Sequence, residues 1–402
     1  IVFGDWSSDV CSSDLMSTRP LRVDLDLVKR YNVPGPRYTS YPPATLFTDR
    51  LPVGQVLGNI ARSSAAHRDL SLYFHLPFCE TLCWFCGCTT VITTDLRKSA
   101  AYVETLGREM ERMRPLLDGD RRVVQVHFGG GSPTFCSPGQ LRRLGALIHR
   151  HFPFADGIEA GVEIDPRRLT RDHLVALREI GFNRTSIGVQ DNNPEVQKAV
   201  HRIQPPELTA QAAGWVRETG FSSLNIDLIY GLPFQTVASF DRTLDEILEL
   251  APDRFAVFSY AHVPWMKPAQ KIVETRNLPT PETKLQLLKL TIEKLTASGY
   301  VYIGMDHFAR PEDELAVAQQ AGTLQRNFQG YSTRGGPDIY GFGMSSISQT
   351  QDAYWQNLKD LDAYCAKVDS GQLPYARGYV LDADDRIRSE EHTSELQSPN
   401  TI

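Results

Sequence analysis

The stretch Cys79-Glu80-Thr81-Leu82-Cys83-Trp84-Phe85-Cys86-Gly87-Cys88 holds four of the chain's seven cysteines. It follows a β-rich apolar run, Ser71 to Phe78, which Pro77 helps to end. Three thiolates with three and then two residues between them can converge on one centre from a single loop. Soft thiolates in that arrangement suit an iron–sulfur cluster or zinc. A closed structural zinc site needs four ligands, usually as two separated pairs, and no second Cys or His pair of that spacing follows downstream. Cys86 and Cys88 are only two apart, an awkward bite for one tetrahedral ion. A cluster held by three cysteines leaves one iron open to a substrate or cofactor. The spacing favours the cluster over zinc, and zinc over plain buried thiols.

From residue 71 onward, apolar β-rich runs alternate with helical patterns. The strands read as Leu72 to Pro77, Val123 to Phe128, Gly161 to Ile164, Thr185 to Val189, Ser223 to Ile229 and Arg254 to Tyr260. The helices between them read as Leu96 to Leu116, Pro138 to His151, Arg171 to Ile180, Pro206 to Thr219 and Val237 to Leu250. Such alternation predicts right-handed βαβ units and a parallel sheet. Six strands are too few for a closed eight-stranded barrel.

Polar residues fall where these strands end. Cys79 follows the first, Gly129-Gly130-Gly131 the second, Glu163 and Asp165 end the third, and Gln190 and Asp191 the fourth. Asp227 lies near the end of the fifth, and Ala261-His262 follow the sixth. In βα barrels chemistry sits at that rim, so the pattern predicts one shared site. Each residue also has a plain structural reading. The glycines suit a tight strand–helix turn, Asp165 and Arg167 suit a cap or ion pair, and Arg202 suits a surface helix. Asp227, inside an apolar strand, must have a polar partner.

The chain has 402 residues, 41% of them hydrophobic, enough for a real core. A net charge of -6 gives no reason to expect nucleic acid or an anionic membrane. An anionic substrate would have to be held by local cations. No apolar run is long enough to span a bilayer, and no secretory signal is evident. Cysteines crowded into one loop fit a reducing compartment, and the reading is cytoplasmic. The first fifteen residues and RSEEHTSELQSPNTI at the other end look foreign to the chain, so Cys11 is set aside. The segment Asn32 to Pro43 is rich in proline and carries Arg37, Tyr38 and Tyr41, either a linker or an arm.

The Cys-x3-Cys-x2-Cys spacing, with an aromatic before the last Cys, resembles the signature of the radical S-adenosylmethionine (SAM) enzymes. The string Tyr73-Phe74-His75-Leu76-Pro77-Phe78-Cys79, with Cys86-Gly87-Cys88, is narrower. It resembles the oxygen-independent coproporphyrinogen III oxidases of haem biosynthesis. So do Met305 to Arg310 and Asn327 to Tyr331, stretches that related haem chaperones generally lack. The resemblance implies an α/β fold, an open partial (β/α)6 TIM-like barrel with an N-terminal arm.

It further implies a [4Fe–4S] cluster on Cys79, Cys83 and Cys86, with Cys88 and Gln329 on the catalytic side. Tyr73, Gly130, Gly131, Ser132, Glu163 and Ile347 match contacts with SAM. Phe85, Gln190, Arg202, Asp227 and Ala261 match, with Gly131 and Ser132, the surroundings of a second SAM. His307 and Arg310 are further substrate-side candidates. The implied reaction converts two propionates of coproporphyrinogen III to vinyl groups with loss of CO2. The implied partners are the porphyrinogen and an unidentified electron donor and acceptor, with no membrane span and a monomeric chain. The competing functions are a haem chaperone, a radical SAM enzyme with another substrate, and a zinc-stabilised module. The expected divisions are tail 1–15, arm and helices 16–70, partial barrel 71–350, the start of a truncated helical region 351–388, and tail 389–402.

Overall fold

The structure, a computed structural model, describes residues 21–31, 41–327 and 329–388. Both tails, with Cys11, lie outside the described residues, as do arm residues 32–40, with Arg37 and Tyr38, and Phe328. Six strands pair in chain order, each parallel to the last: Leu70–Leu76 (β1), Val123–Gly130 (β2), Phe154–Ile164 (β3), Arg184–Gln190 (β4), Ser223–Tyr230 (β5) and Arg254–Ser259 (β6). The intervening helices are Leu96–Met113, Pro138–His151, Arg171–Ile180, Pro206–Glu218 with the short Pro194–Ala199 before it, and Val237–Glu249.

Local chemistry sets their ends. The Asp95 side chain caps Leu96–Met113 by accepting from the Arg97 N–H. Pro115 then lacks the N–H a further α-turn needs, and the helix tightens into a 3-10 turn over Arg114–Leu116. Ser137 and Gln140 form a capping box on Pro138–His151. Gly181, at φ 112, closes Arg171–Ile180 in the left-handed region.

The strands have two unlike faces. On β1 to β3, Leu72, Phe74, Val126, Phe128, Ala160 and Val162 point to the helices and are buried. Phe74 stacks on Phe342 at 5.1 Å and meets Phe128 edge-on at 5.4 Å. Burying such rings contributes about 1.5–3 kcal/mol each. The alternate residues, among them Gln125, His127, Glu159, Glu163, Ser186 and Asp227, line a lumen. A barrel that is apolar outside and polar inside is a container for polar chemistry.

The sheet extends beyond these six strands, and among the described residues it has twelve. Asp338–Phe342 (β9) lies parallel to β1, and Ile347–Gln349 (β10), Ala353–Asn357 (β11) and Tyr375–Val380 (β12) follow antiparallel. At the other edge His307–Ala309 (β8) pairs antiparallel with β6, and Val301–Gly304 (β7) with β8. The order is linear, so the barrel is open. Residues 351–388 were expected to begin a helical region. They instead give two strands of this sheet, the helix Leu361–Asp369 between them, and a helical stretch at 383–388. Tyr354, Trp355, Tyr379 and Val380 are β-formers, but their pairing partners lie elsewhere in the chain. A buried pair, Arg121 to Asp338 at 2.5 Å, fastens β9 beside β1.

Candidate active site

The cysteine loop is pinned at both ends. Phe78–Cys79 pairs with Val91–Ile92, and the Thr93 N–H donates to the Cys79 carbonyl at 2.9 Å. Between them the Trp84 N–H donates to Val200 O at 2.9 Å, and its ring stacks on His201 at 5.1 Å. His201 adopts φ 56 and its Nδ1 meets Leu82 O at 2.9 Å. Arg202 then turns inward. It donates to Gly188 O at 2.7 Å and Asp165 at 3.3 Å, and lies 3.6 Å from Cys83 Sγ. Arg167 approaches the same sulfur at 3.6 Å and Asp165 at 2.5 Å. Burial opposes charge on Asp165, but Arg202 and Arg167 hold it down to about 2.

The thiols are not equivalent. Burial pushes Cys79 up to about 12, with Cys86, Asp165 and Cys83 adding to it. Cys86 is held down to about 6 by its hydrogen bond with Cys88, then by the Lys267 and Arg202 charges, against burial. The Cys88 N–H also donates to Cys86 Sγ at 3.4 Å.

Cys79, Cys83, Cys86 and Cys88 line one cavity of about 170 Å³, together with Phe85, Gly130, Gly131, Glu163, Gln190, Arg202 and Asp227. Among the described residues no three His, Cys, Asp or Glu side chains close on a single-ion site. Four thiols line that hollow. That set fits an iron–sulfur cluster better than zinc.

The glycines make room beside it. Gly130 has φ +108, and a Cβ there would lie 2.6 Å from the His75 ring. A Cβ on Gly131 would lie 2.5 Å from the Pro77 carbonyl. The bare backbone is held by Gly131 N–H to Leu76 O and Ser132 N–H to Phe78 O, both 2.9 Å. Ser132 faces an adjoining cavity with Cys79, Asp165 and Arg167.

Deeper in the barrel stand two carboxylates. Burial disfavours charge on Glu163, but His127 at 3.4 Å and the Gly130 N–H at 3.2 Å hold it below the usual range. Burial raises Asp227 to about 6, although Ser186 and Asn225 each donate to it at 2.7 Å. Both carboxylates also line the lumen cavity of about 350 Å³, which holds Gln329, His307 and Tyr331. The two cavities therefore meet at Glu163, Ser186 and Asp227. Gln190 adopts φ 71 at the strand end, a conformation costly for a non-glycine residue.

Some candidates lie apart. Tyr73 is inside the barrel, stacked on His127 at 6.0 Å with its hydroxyl 3.2 Å from His75. Ile347, on β10, packs with Phe47 and Tyr354 in a satellite cluster. Arg310 is at the other end of β6, donating to Pro252 O and Ala251 O at 3.0 and 2.9 Å. It does not face the lumen, because β8 runs antiparallel to β6 and carries it to the floor. One residue escaped the sequence reading: buried Gln270 donates to Phe85 O at 3.1 Å and to Ala261 O at 3.2 Å. Nothing in a lone Gln of a proline-rich loop signals that.

Comparison with known proteins was made on this geometry. Residues 73–247 match the Radical SAM superfamily. The chain is 49% identical over 370 residues to the oxygen-independent coproporphyrinogen III oxidase of Pseudomonas aeruginosa, covering 92% of this chain and 80% of that protein. It is 48% identical over 373 residues to the Escherichia coli protein of the same name, covering 93% and 81%. The solved structure of coproporphyrinogen III oxidase from Escherichia coli, a radical SAM enzyme, superposes with a TM-score of 0.89 at 46% identity, covering 94% of this chain and 85% of that one.

Proposed function

The chain belongs to the oxygen-independent coproporphyrinogen III oxidases, a family of the radical SAM superfamily, and on that footing we propose which residues carry the reaction. It is an oxidoreductase of haem biosynthesis acting with a [4Fe–4S] cluster and SAM. The haem-chaperone alternative finds no support among these relatives. When bound, cluster and SAM supply a one-electron radical route for oxidising a propionate side chain.

The protein's part is binding, orientation and exclusion of water. Cys79, Cys83 and Cys86 hold the cluster, with Arg167 and Arg202 offsetting its thiolate charge. The backbone at Gly130 and Gly131, with Ser132 and Glu163, receives SAM. Tyr73 and Ile347 shape that site through packing. Phe85, Gln190, Arg202, Asp227 and Ala261 surround a second SAM. Cys88 and Gln329 face the substrate from the two cavities that join at Asp227. The observation that carries this reading is that joined chamber, which gathers the thiols and most of the candidate polar groups.

The porphyrinogen is the substrate, and an electron donor and acceptor complete the cycle. We assign the chain to a reducing compartment, the cytoplasm, as a monomer. The six described cysteines are all free thiols, which supports that. No helix among the described residues is long and apolar enough to cross a membrane. The test is turnover of coproporphyrinogen III by anaerobically reconstituted protein with SAM and a reductant, read by chromatography. Appearance of the divinyl product is expected. A fully loaded cluster with no vinyl product would sink the assignment.

A further inference from the structure

His127 stands beside the junction of the two chambers. It lies near the middle of β2 and lines the lumen cavity next to Glu163. Its imidazole is fitted between the neighbouring strands. Tyr73 of β1 stacks on it at 6.0 Å, with the ring planes 10° apart. Its register partner on β3 is Gly161, where a Cβ would lie 3.1 Å from Nδ1. A side chain at 161 would crowd the ring, and glycine lets it lean across β3.

Glu163 leans the opposite way. Two residues beyond Gly161 it reaches back over β2, and a Cβ on Gly129 would lie 2.8 Å from Oε1 and 3.2 Å from Oε2. Real Cβ atoms do not come that close, so the carboxylate fills the space that a larger residue at 129 would need. Gly129 therefore makes room for a side chain of the protein.

The two side chains meet over these glycines, with His127 Nε2 at 3.4 Å from Glu163 Oε1. The Gly130 N–H donates to the other oxygen at 3.2 Å. The carboxylate is held at both oxygens, by an imidazole from the lumen and by backbone from the glycine loop. His127 is its only side-chain hydrogen-bond partner among the described residues. Each oxygen keeps a lone pair for a ligand. Glu163 lines the cavity of the thiols and His127 does not. The imidazole can reach that cavity only through Glu163. A carboxylate fixed in advance spares a ligand the cost of ordering it.

We propose that His127 is a positioning residue for SAM, holding the Glu163 carboxylate over Gly129 so that it faces the cavity of the thiols. This rests on the reading that Glu163 receives SAM, and deepens it. Gly129 serves the same end by leaving the carboxylate its place.

The experiment is equilibrium dialysis of labelled SAM against anaerobically reconstituted holoenzyme, without reductant, so that SAM is bound and not cleaved. The proteins are wild type, His127→Phe, His127→Gln, Gly129→Ala, the His127→Phe/Gly129→Ala pair and Glu163→Gln. His127→Phe keeps a ring against Tyr73 and loses the N–H. Its Kd for SAM should rise about tenfold, as for one lost hydrogen bond to a charged group. His127→Gln offers an amide N–H in place of Nε2 and should bring the Kd back towards wild type. In Gly129→Ala the flexible end of Glu163 has to move aside, and the Kd should rise as well. The pair should lose less than the product of its parts, because both changes displace one carboxylate. Iron content and the KM for coproporphyrinogen should stay at wild-type values.

An unchanged Kd in His127→Phe overturns the proposal. Equal losses in His127→Phe and His127→Gln reduce the ring to packing and overturn it too. So does a raised KM for coproporphyrinogen at unchanged SAM affinity, which assigns His127 to the substrate. Glu163→Gln binding SAM like wild type overturns the placement of Glu163, and this link with it. Binding is read without turnover, so absence of vinyl product from loaded wild type overturns the oxidase reading alone. Where His127→Phe melts early, Gly129→Ala and His127→Gln decide.

Discussion

The side-chain amide of Gln270 donates to the backbone carbonyl of Phe85 across 3.1 Å, tying the loop after β6 to the loop that carries the thiols. The same nitrogen reaches Ala261 O at 3.2 Å, and Oε1 accepts from the Val263 N–H at 2.6 Å. One buried side chain thus satisfies three backbone groups in two loops. Gln270→Ala strands all three, at a cost of about 1–3 kcal/mol. We expect a lower melting temperature, near-normal iron, and a several-fold higher KM for SAM. A normal KM for SAM would reduce Gln270 to a packing role.

Cys83 lies where Arg167 and Arg202 both point, each 3.6 Å from its sulfur. Serine there is a poor ligand for iron and gives the guanidiniums no thiolate. Cys83→Ser should lose iron and sulfide to background while the far-ultraviolet circular dichroism of the barrel persists. Cys88→Ser should keep its iron, since Cys88 is exposed to the cavity and partners Cys86. Full iron in Cys83→Ser, or its loss in Cys88→Ser, would reverse the assignment of the ligand set.

Asp227 trades stability for chemistry. Its folded value of about 6 lies above the 3.8 usual for an aspartate, because burial disfavours the charge. The sign follows: its contribution to stability is present below about pH 4 and is lost as pH rises through about 6. Asp227→Asn removes the charge while an amide can still meet Ser186. At pH 8 the variant should be more stable by on the order of 2 kcal/mol, and turnover should fall at least tenfold. Equal stability across the pH range, in denaturant titrations of the cluster-free protein, would count against this account.

How much of this could be read from the chain varies by scale. The six barrel strands and five crossover helices were legible because each carries its own periodicity; most real ends differ by a few residues, but the third strand begins at Phe154, seven residues before the start read at Gly161. The thiols, the glycines, Glu163 and Asp227 were legible because the strand ends gather them. The strands at 353–357 and 375–380 were not, because they are short and buried through pairing with distant segments. Arg310 misled because its motif looks substrate-facing, whereas the antiparallel run of β8 takes it to the floor. The role of Gln270 arises only when separate loops meet.

Glu109 offers a test away from the chemistry. It is wholly buried in the helix Leu96–Met113 and receives the Gly343 N–H at 2.8 Å, the Tyr364 hydroxyl at 2.5 Å and the Asn357 amide at 2.7 Å. Tyr102, two turns earlier on the same helix, donates to His75 O and accepts the Met344 N–H. Together these hold the 343–346 turn against the barrel wall. Burial outweighs the three donors and raises Glu109 to about 7. Its stabilising contribution is therefore present below about pH 4.5 and is lost as pH climbs through 7, a change of about 3 kcal/mol. Glu109→Gln cannot titrate, and it keeps an oxygen for Gly343 and Tyr364 while its amide faces Asn357. The variant should start less stable than wild type at pH 5, because one hydrogen bond is lost, and the gap should close or invert by pH 8. Parallel stability curves for the two proteins between pH 5 and 8 would show that Glu109 stays ionised and that its donors, not burial, prevail.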